Sequence, residues 1–313
     1  MNTKDIYLLS KIKGIGPKAI VLIFDALKTA AQETINPGNY EGILAIKGIK
    51  RYQKALINIF STEQYNHLMD EVTKDLEHLK KIGIKLVSIS EPNYPQLLKQ
   101  ISDPPPLLYL KGNDQLLNQG ISCAVVGSRE HTERGKIIVE KTVDFLCNHQ
   151  FIITSGLARG IDSIAHQQTL NNNGRTIAVL VDAHNIQPKS NTKLANRILE
   201  KDGLLVSENY PGVNIIPQLF AKRDRIQTGL STAVFAIETS KSGGTRHAIE
   251  QAIESNCPVY VPDYDKSGYP DTSIPQLEGL KHYFSMGHAV KYTKEDYNNI
   301  ATEINLRHSN LTK

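Results

Sequence analysis

Three segments place glycine just beyond an apolar run, an arrangement suited to binding anions. Gly127-Ser128-Arg129 follows Ile121–Val126 directly. Ser155-Gly156-Leu157-Ala158-Arg159-Gly160-Ile161-Asp162 closes the run Phe151–Thr154. Ser242-Gly243-Gly244-Thr245-Arg246-His247 comes shortly after the run Ala233–Glu238. Where a strand passes into a helix through glycine, free backbone N–H groups and the positive end of the helix dipole can meet a phosphate. Arg129 adds a planar fork of donors that pairs with phosphate. A fourth stretch, Phe220 to Gly229, holds Lys222, Arg223 and Arg225 beside one aromatic ring. In a helix Lys222 shares a face with Arg225, and Phe220 lies near Arg223. Arginine takes phosphate, and a ring stacks a base for about 1–3 kcal/mol. The ligand expected from these residues is a phosphate backbone, that of single-stranded DNA. The blander readings are a surface salt bridge for Arg129 and an inward-packed Phe220 with solvated charges.

Other chemistries find little support. The first loop is not G-x-G-x-x-G, and no acidic residue is placed to hold a ribose, which argues against a dinucleotide cofactor. No G-x-x-x-x-G-K-[ST] loop, H-E-x-x-H, G-x-S-x-G or clustered Cys/His set occurs. Asp162 is expected to cap the helix running on through Ile164, Ala165 and His166, and His166 to be a packed or surface residue. Sheet-end placement accounts for Glu238 and helix solvation for Glu250. Cys123, Cys147 and Cys257 have no metal-ligand spacing and read as reduced thiols, two of them in apolar, strand-like surroundings. No cofactor and no metal are expected.

The elements that must position these loops follow from the apolar pattern. Runs at Ile121–Val126, Phe151–Thr154, Thr176–Val181, Leu204–Ser207, Ala233–Glu238, Pro258–Pro262 and Ala289–Tyr292 alternate with helical stretches. Val139, Val143 and Leu146 make one apolar stripe, and Leu194, Ile198 and Leu199 another. This is an α/β chain with a mostly parallel, doubly wound sheet of Rossmann-like type and right-handed crossovers. The three loops then lie at strand carboxyl ends, on one side of the sheet. Thr132 is placed to cap the first helix, which Gly135 joins closely.

Residues 1–80 have helical spacing instead, with Leu8, Leu9, Ile12, Ile15, Ile20, Ile23, Phe24 and Leu27 in register. Gly14-Ile15-Gly16-Pro17-Lys18 resembles a helix-hairpin-helix turn, and Ile46-Lys47-Gly48-Ile49-Lys50 a weaker copy. Such hairpins either face a phosphate or make tight turns in a small helical bundle. The expected organisation is a helical domain (also SAM-like) over 1–80, a Rossmann-like domain over 81–305 and a fraying polar tail over 306–313.

At 313 residues, with 40% hydrophobic and 22% charged residues, the chain can bury a full core. A net charge of +4 permits an anionic partner without demanding one, so the argument rests on where charges sit. The N-terminus has no signal-peptide pattern and no run reaches membrane-span length, so a cytoplasmic protein is expected.

Taken together, these residues resemble the DNA-processing protein A family (DprA, also called Smf). The resemblance runs in order through Tyr94-Pro95 with Leu98, Asp103-Pro104-Pro105, Lys111-Gly112-Asn113, Gly127-Ser128-Arg129, Ser155 to Asp162 and Ala165-His166. It continues through Pro188 with Asn191, Ser207-Glu208, Phe220 with Arg223 and Arg225, and Ser242-Gly243. It implies a homodimeric, non-enzymatic protein that binds and protects single-stranded DNA. It also implies loading of a RecA-type recombinase in natural transformation (competence) and homologous recombination. Carried onto this chain, the DNA-contact positions are Arg129, Phe220, Arg223 and Arg225. Three departures stand out. Asp224 replaces the family's asparagine, and the chain has no room for the C-terminal winged helix of many members. The segment Gly243 to Glu250 partly resembles LOG-type phosphoribohydrolases. On that alternative, Gly244, Thr245 and Glu250 hold or act on a nucleotide. A protein-interaction scaffold that binds neither ligand is the third possibility.

Overall fold

The structure, a computed structural model, describes residues 1–29, 34–61 and 63–312. The chain divides into two compact units. One comprises Met1–Tyr94 with Asp103–Leu110, the other Pro95–Ser102 with Lys111–Lys313. The expected change of domain after residue 80 is corrected: the chain passes between the units more than once. The reason is strand pairing, because β1 (Lys85–Ser88) pairs antiparallel with β2 (Leu107–Gly112), Val87 opposite Leu108.

The first unit is otherwise helical: α1 (Thr3–Lys11), α2 (Pro17–Thr29), α3 (Glu41–Leu44), α4 (Gln53–Phe60) and α5 (Gln64–Lys81). Asn2 and Asp5 form a reciprocal capping box on α1. The apolar positions from Leu8 to Leu27 that share helical spacing are all buried. Gly14 and Gly48 adopt left-handed φ of 92° and 96° at the two expected hairpin turns.

The second unit opens with α6 (Gln96–Lys99). It then alternates β3 (Ser122–Val126), α7 (Glu133–Asn148), β4 (Ile152–Ser155), α8 (Ile161–Asn171), β5 (Thr176–Val179), α9 (Thr192–Glu200) and β6 (Leu204–Ser207). There follow α10 (Pro217–Gly229), β7 (Ala233–Ala236), α11 (Arg246–Glu254), β8 (Val259–Pro262), α12 (Pro275–Ser285), β9 (Val290–Tyr292) and α13 (Tyr297–Leu311). Each of the seven apolar runs forms a strand. Their order across the sheet is β6-β5-β4-β3-β7-β8-β9, and every neighbouring pair is parallel. The chain winds outward from β3 to β6, returns to the centre and winds the other way from β7. Right-handed crossovers then put helices on both faces, which makes the sheet doubly wound and Rossmann-like. Strands covered on both faces must be apolar throughout, and β3 to β8 are buried at every position. No helix among the described residues is long and apolar enough to cross a membrane.

The polar tail expected from residue 306 is corrected over 306–311, which continue α13; residue 313 lies outside the described residues. Ile300, Ala301 and Ile304 anchor α13 in the core, where Phe145 stacks on Tyr297 at 4.1 Å between ring centres. The polar residues are the wet face of an amphipathic helix. Ile304→Ala is therefore expected to cost about 2–5 kcal/mol in urea denaturation. A loss below about 0.5 kcal/mol, typical of a surface site, would return this segment to a fraying tail.

Candidate functional site

The sheet reverses its winding between β3 and β7, and open α/β sheets bind ligands in the crevice beyond such a point. A cavity of about 370 Å³ opens there. Its lining draws Gly127, Ser128 and Arg129 from the loop after β3, Ala158 and Asp162 from the loop after β4, and Gly243, Gly244 and Thr245 from the loop after β7. Phe220, Arg223, Asp224 and Gln227 reach it from α10. Ser155, Gly156, Arg159, Gly160, Lys222, Arg225, Ser242 and Glu250 are not among the lining residues. The expected nucleotide site is thereby separated: Gly244 and Thr245 face the cavity, whereas Glu250 stands apart, taking the Tyr283 hydroxyl at 3.3 Å with His247 at 3.8 Å.

Glycine is needed where loops touch. Gly160 (φ 81°) would put a Cβ 2.3 Å from the Ser128 carbonyl oxygen, so only a bare Cα lets the loops after β3 and β4 meet. A Cβ on Gly156 would lie 1.7 Å from Nη1 of Arg223. The buried guanidinium sits on this glycine and donates to its carbonyl at 2.8 Å. Leu157 is held in the left-handed region (φ 55°) by burial and by Asn191, whose Nδ2 donates to its carbonyl at 2.8 Å. Ser155 is buried, its hydroxyl donating to the Val125 carbonyl at 2.7 Å. Thr132 caps α7 as expected, accepting from Gly135 N–H at 2.9 Å. Asp162 does not cap α8. The helix starts from Gly160, and the Asp162 carboxylate instead accepts from the Ala158 N–H of the loop at 3.3 Å.

The basic residues around the site divide into paired and free charges. Arg225 makes two 2.8 Å bonds to both carboxylate oxygens of Glu208, each side chain about one-twentieth exposed. Lys222 joins the same carboxylate at 3.1 Å. The shared helix face of Lys222 and Arg225 is thus real, and it serves Glu208. Arg225, expected as a DNA contact, lies in the structure as the buried counter-ion of Glu208 and away from the cavity lining. Arg223 is equally buried, its Nη1 3.2 Å from Asp224. Arg129 and Arg159 differ: both are exposed and have no ion pair or side-chain hydrogen bond among the described residues. Sequence reasoning missed Glu208, Asn191 and Gln227 as site-building residues; the Ser207-Glu208 and Asn191 positions were visible as motif residues without a role.

The cavity floor is electrostatically tense. Asp224 is pushed from its ordinary 3.8 up to about 6, first by burial and then by Asp162, against the pull of Arg223 and Arg129. Burial likewise raises Asp162, opposed by Arg223. His166 is fully buried and held neutral, its pKa lowered to about 3 by burial and by Arg223, with Nδ1 2.7 Å from the Thr176 hydroxyl. Glu238 is buried too, taking N–H and O–H of Thr132 at 2.9 and 2.6 Å and the Tyr269 hydroxyl at 2.9 Å. Among the described residues no group of three or more His, Cys, Asp or Glu side chains is placed to hold a metal ion.

This geometry can now be set beside known proteins. The model of the family described as DNA recombination-mediator protein A matches residues 85–302. The chain belongs to this family. The DNA processing protein DprA of Bacillus subtilis is 35% identical over 180 residues, 57% of this chain and 60% of that protein. The chain thus spans less than two thirds of that relative. Protein Smf of Borreliella burgdorferi is 32% identical over 282 residues, 79% of this chain and 87% of its own length. Among solved structures, Streptococcus pneumoniae DprA is similar over 95% of this chain and 96% of its own, with TM-score 0.77 and 28% identity. Helicobacter pylori DNA processing protein A, which binds single-stranded DNA, shares the fold over 71% of this chain and 97% of its own, with TM-score 0.61 and 23% identity.

Two outcomes follow for this member of the family. Glu208→Ala leaves the buried Arg225 charge unpaired and is expected to cost about 3–5 kcal/mol in urea denaturation; a loss under about 1 kcal/mol would show the pair to be superficial. Asp224 holds a proton in the folded state between pH 3.8 and about 6 that the unfolded chain releases. Its ionised form therefore costs stability above pH 6. Asp224→Asn should melt higher than the unsubstituted protein at pH 8, with the gap closing below pH 4. A gap that widens on acidification would reverse this sign.

Proposed function

We propose that the chain is a non-enzymatic single-stranded DNA binder whose strand runs over the cavity beyond β3 and β7. One observation carries the reading: Arg129 is exposed and unpaired at a cavity that the half-buried Phe220 shares. A free guanidinium takes a phosphate, and a ring beside it stacks a base, the usual equipment for single strands. Membership of a recombination-mediator family and the strand binding of the H. pylori protein support the same reading. We extend this reading to a wider role: a cytoplasmic homodimer that protects incoming strands and passes them to a RecA-type recombinase during DNA uptake.

The test is fluorescence anisotropy with a labelled oligo-dT strand across a salt series. Affinity should fall with salt at a log–log slope of about −0.7 per neutralised phosphate. Arg129→Ala should weaken binding by roughly tenfold or more, the worth of a charged hydrogen bond, and flatten the slope by about 0.7. Phe220→Ala should weaken binding and leave the slope in place. Absence of binding at low salt would end the proposal.

A further inference from the structure

One buried acid stands outside the cavity lining. Glu238 follows β7, is fully buried and has no ion pair among the described residues. A carboxylate without a cation is costly in the interior unless hydrogen bonds replace its water. Here they come from two loops. The Thr132 N–H donates to Oε2 at 2.9 Å and the Thr132 hydroxyl to Oε1 at 2.6 Å. The Tyr269 hydroxyl, from the loop after β8, donates to Oε1 at 2.9 Å. A Cβ on Gly135 would lie 2.3 Å from the same oxygen, so the first turn of α7 rests directly on the carboxylate. The positive end of the α7 dipole then faces the anion.

The main chain of Glu238 adds a second hold. Its carbonyl accepts from the Ser128 N–H at 2.7 Å. Ser128 and Thr132 are the two ends of the loop that carries Arg129. One residue therefore grips both ends of that loop, with its main chain at one and its side chain at the other. Two further bonds fix the span between them. The Ile161 N–H donates to the Ser128 carbonyl at 3.1 Å, and the Glu130 N–H to the Ser128 hydroxyl at 3.1 Å. The Arg129 side chain is exposed, so its reach is set by the backbone beneath it. A carboxylate suits this place because three donors converge on its two oxygens. An amide has one acceptor oxygen, and in either orientation at least one of the three donors would face an NH₂.

We propose that Glu238 is a positioning residue for strand binding: it never touches the strand, and it sets the loop from Ser128 to Thr132 so that Arg129 meets a phosphate. The inference rests on the single-strand reading above. A guanidinium whose backbone is fixed in advance gives up less freedom on binding than one on a loose loop. Supports of this kind, one layer behind the contact, decide whether the contact is held in reach of its ligand. Tyr269 shares the carboxylate and not the loop, so it separates positioning from general support of the fold.

The experiment is oligo-dT anisotropy at low salt with the full chain, read as a double-mutant cycle. Glu238→Gln is expected to weaken binding about threefold or more, the scale of one hydrogen bond. In an Arg129→Ala background the same change should cost less than about twofold. In a Phe220→Ala background it should keep its full effect, because Phe220 is carried by α10. Thr132→Val, which removes the hydroxyl, should also weaken binding, and Thr132→Ser should restore it; this pair carries the test where Glu238→Gln does not fold. Tyr269→Phe should lower the melting temperature and leave affinity in place. Equal losses from Glu238→Gln with and without the Arg129 side chain overturn the positioning role, as do equal losses of affinity from Tyr269→Phe and Thr132→Val. Both results leave strand binding standing. Strand binding that Arg129→Ala does not weaken overturns the role as well. Failure of the unsubstituted protein to bind at low salt overturns the single-strand reading and this one with it.

Discussion

The site depends on one buried contact, the Arg223 guanidinium lying on the bare Cα of Gly156 and bonded to its carbonyl at 2.8 Å. It joins α10 to the loop after β4, two elements far apart in sequence. It also brings a full positive charge under the cavity, where only nearby carboxylates can offset its loss of water. Asp162 and Asp224 do so from opposite sides of the chain order, one in the first turn of α8 and the other next to Arg223 itself. His166, packed close by, must then stay neutral, because a second cation there would go unanswered. A methyl group at residue 156 would displace the guanidinium and leave these carboxylates without their counter-charge.

Such a cluster is an expensive way to build a floor. Its carboxylates are raised above their ordinary range, which means that their ionised forms are held at some cost. The rest of the unit offsets that cost with a fully apolar sheet and dry packing such as Phe235 between Phe145, Tyr260 and Tyr292. The result is a set of polar groups fixed before any ligand arrives. Preorganised groups give up little freedom on binding, which is where strained polar arrangements commonly earn their place in a fold.

The fold was legible because its signal is repeated. Each of the seven strands is a short apolar run between helical stretches, and the chain order alone implies a doubly wound parallel sheet. Local chemistry was legible too where it is short-range, as with Thr132 on Gly135. What could not be read was which charge meets which. Arg225 and Glu208 are 17 positions apart, and their pairing depends on α10 returning to the end of β6. Asp162 looked like a helix cap because the sequence does not say that Gly160 begins the helix. Residues 306–311 looked like a tail because their polar character outweighs, in a linear reading, the upstream stripe of Ile300, Ala301 and Ile304. The division of the chain was misread for the same reason: β1 finds its partner only after the segment 95–102 has gone elsewhere.

The two kinds of arginine in this site carry a wider consequence. Counting basic residues in Phe220 to Gly229 suggests a strong electrostatic surface, yet Lys222 and Arg225 spend their charge on Glu208 and Arg223 spends its own on Asp224 and Asp162. A charge already paired inside the protein releases no counterion from a nucleic acid, so it adds nothing to a salt-dependent affinity. What remains at the cavity is Arg129. With a net charge of only +4, long-range attraction is modest. On the single-strand reading, affinity must then come from contacts that salt does not screen: ring stacking on Phe220 and a polar floor fixed in advance. On the same reading, such a cavity would hold a strand by its shape and its bases more than by its charge, and flexible single strands, whose bases are free to turn inward, are the nucleic acids suited to it.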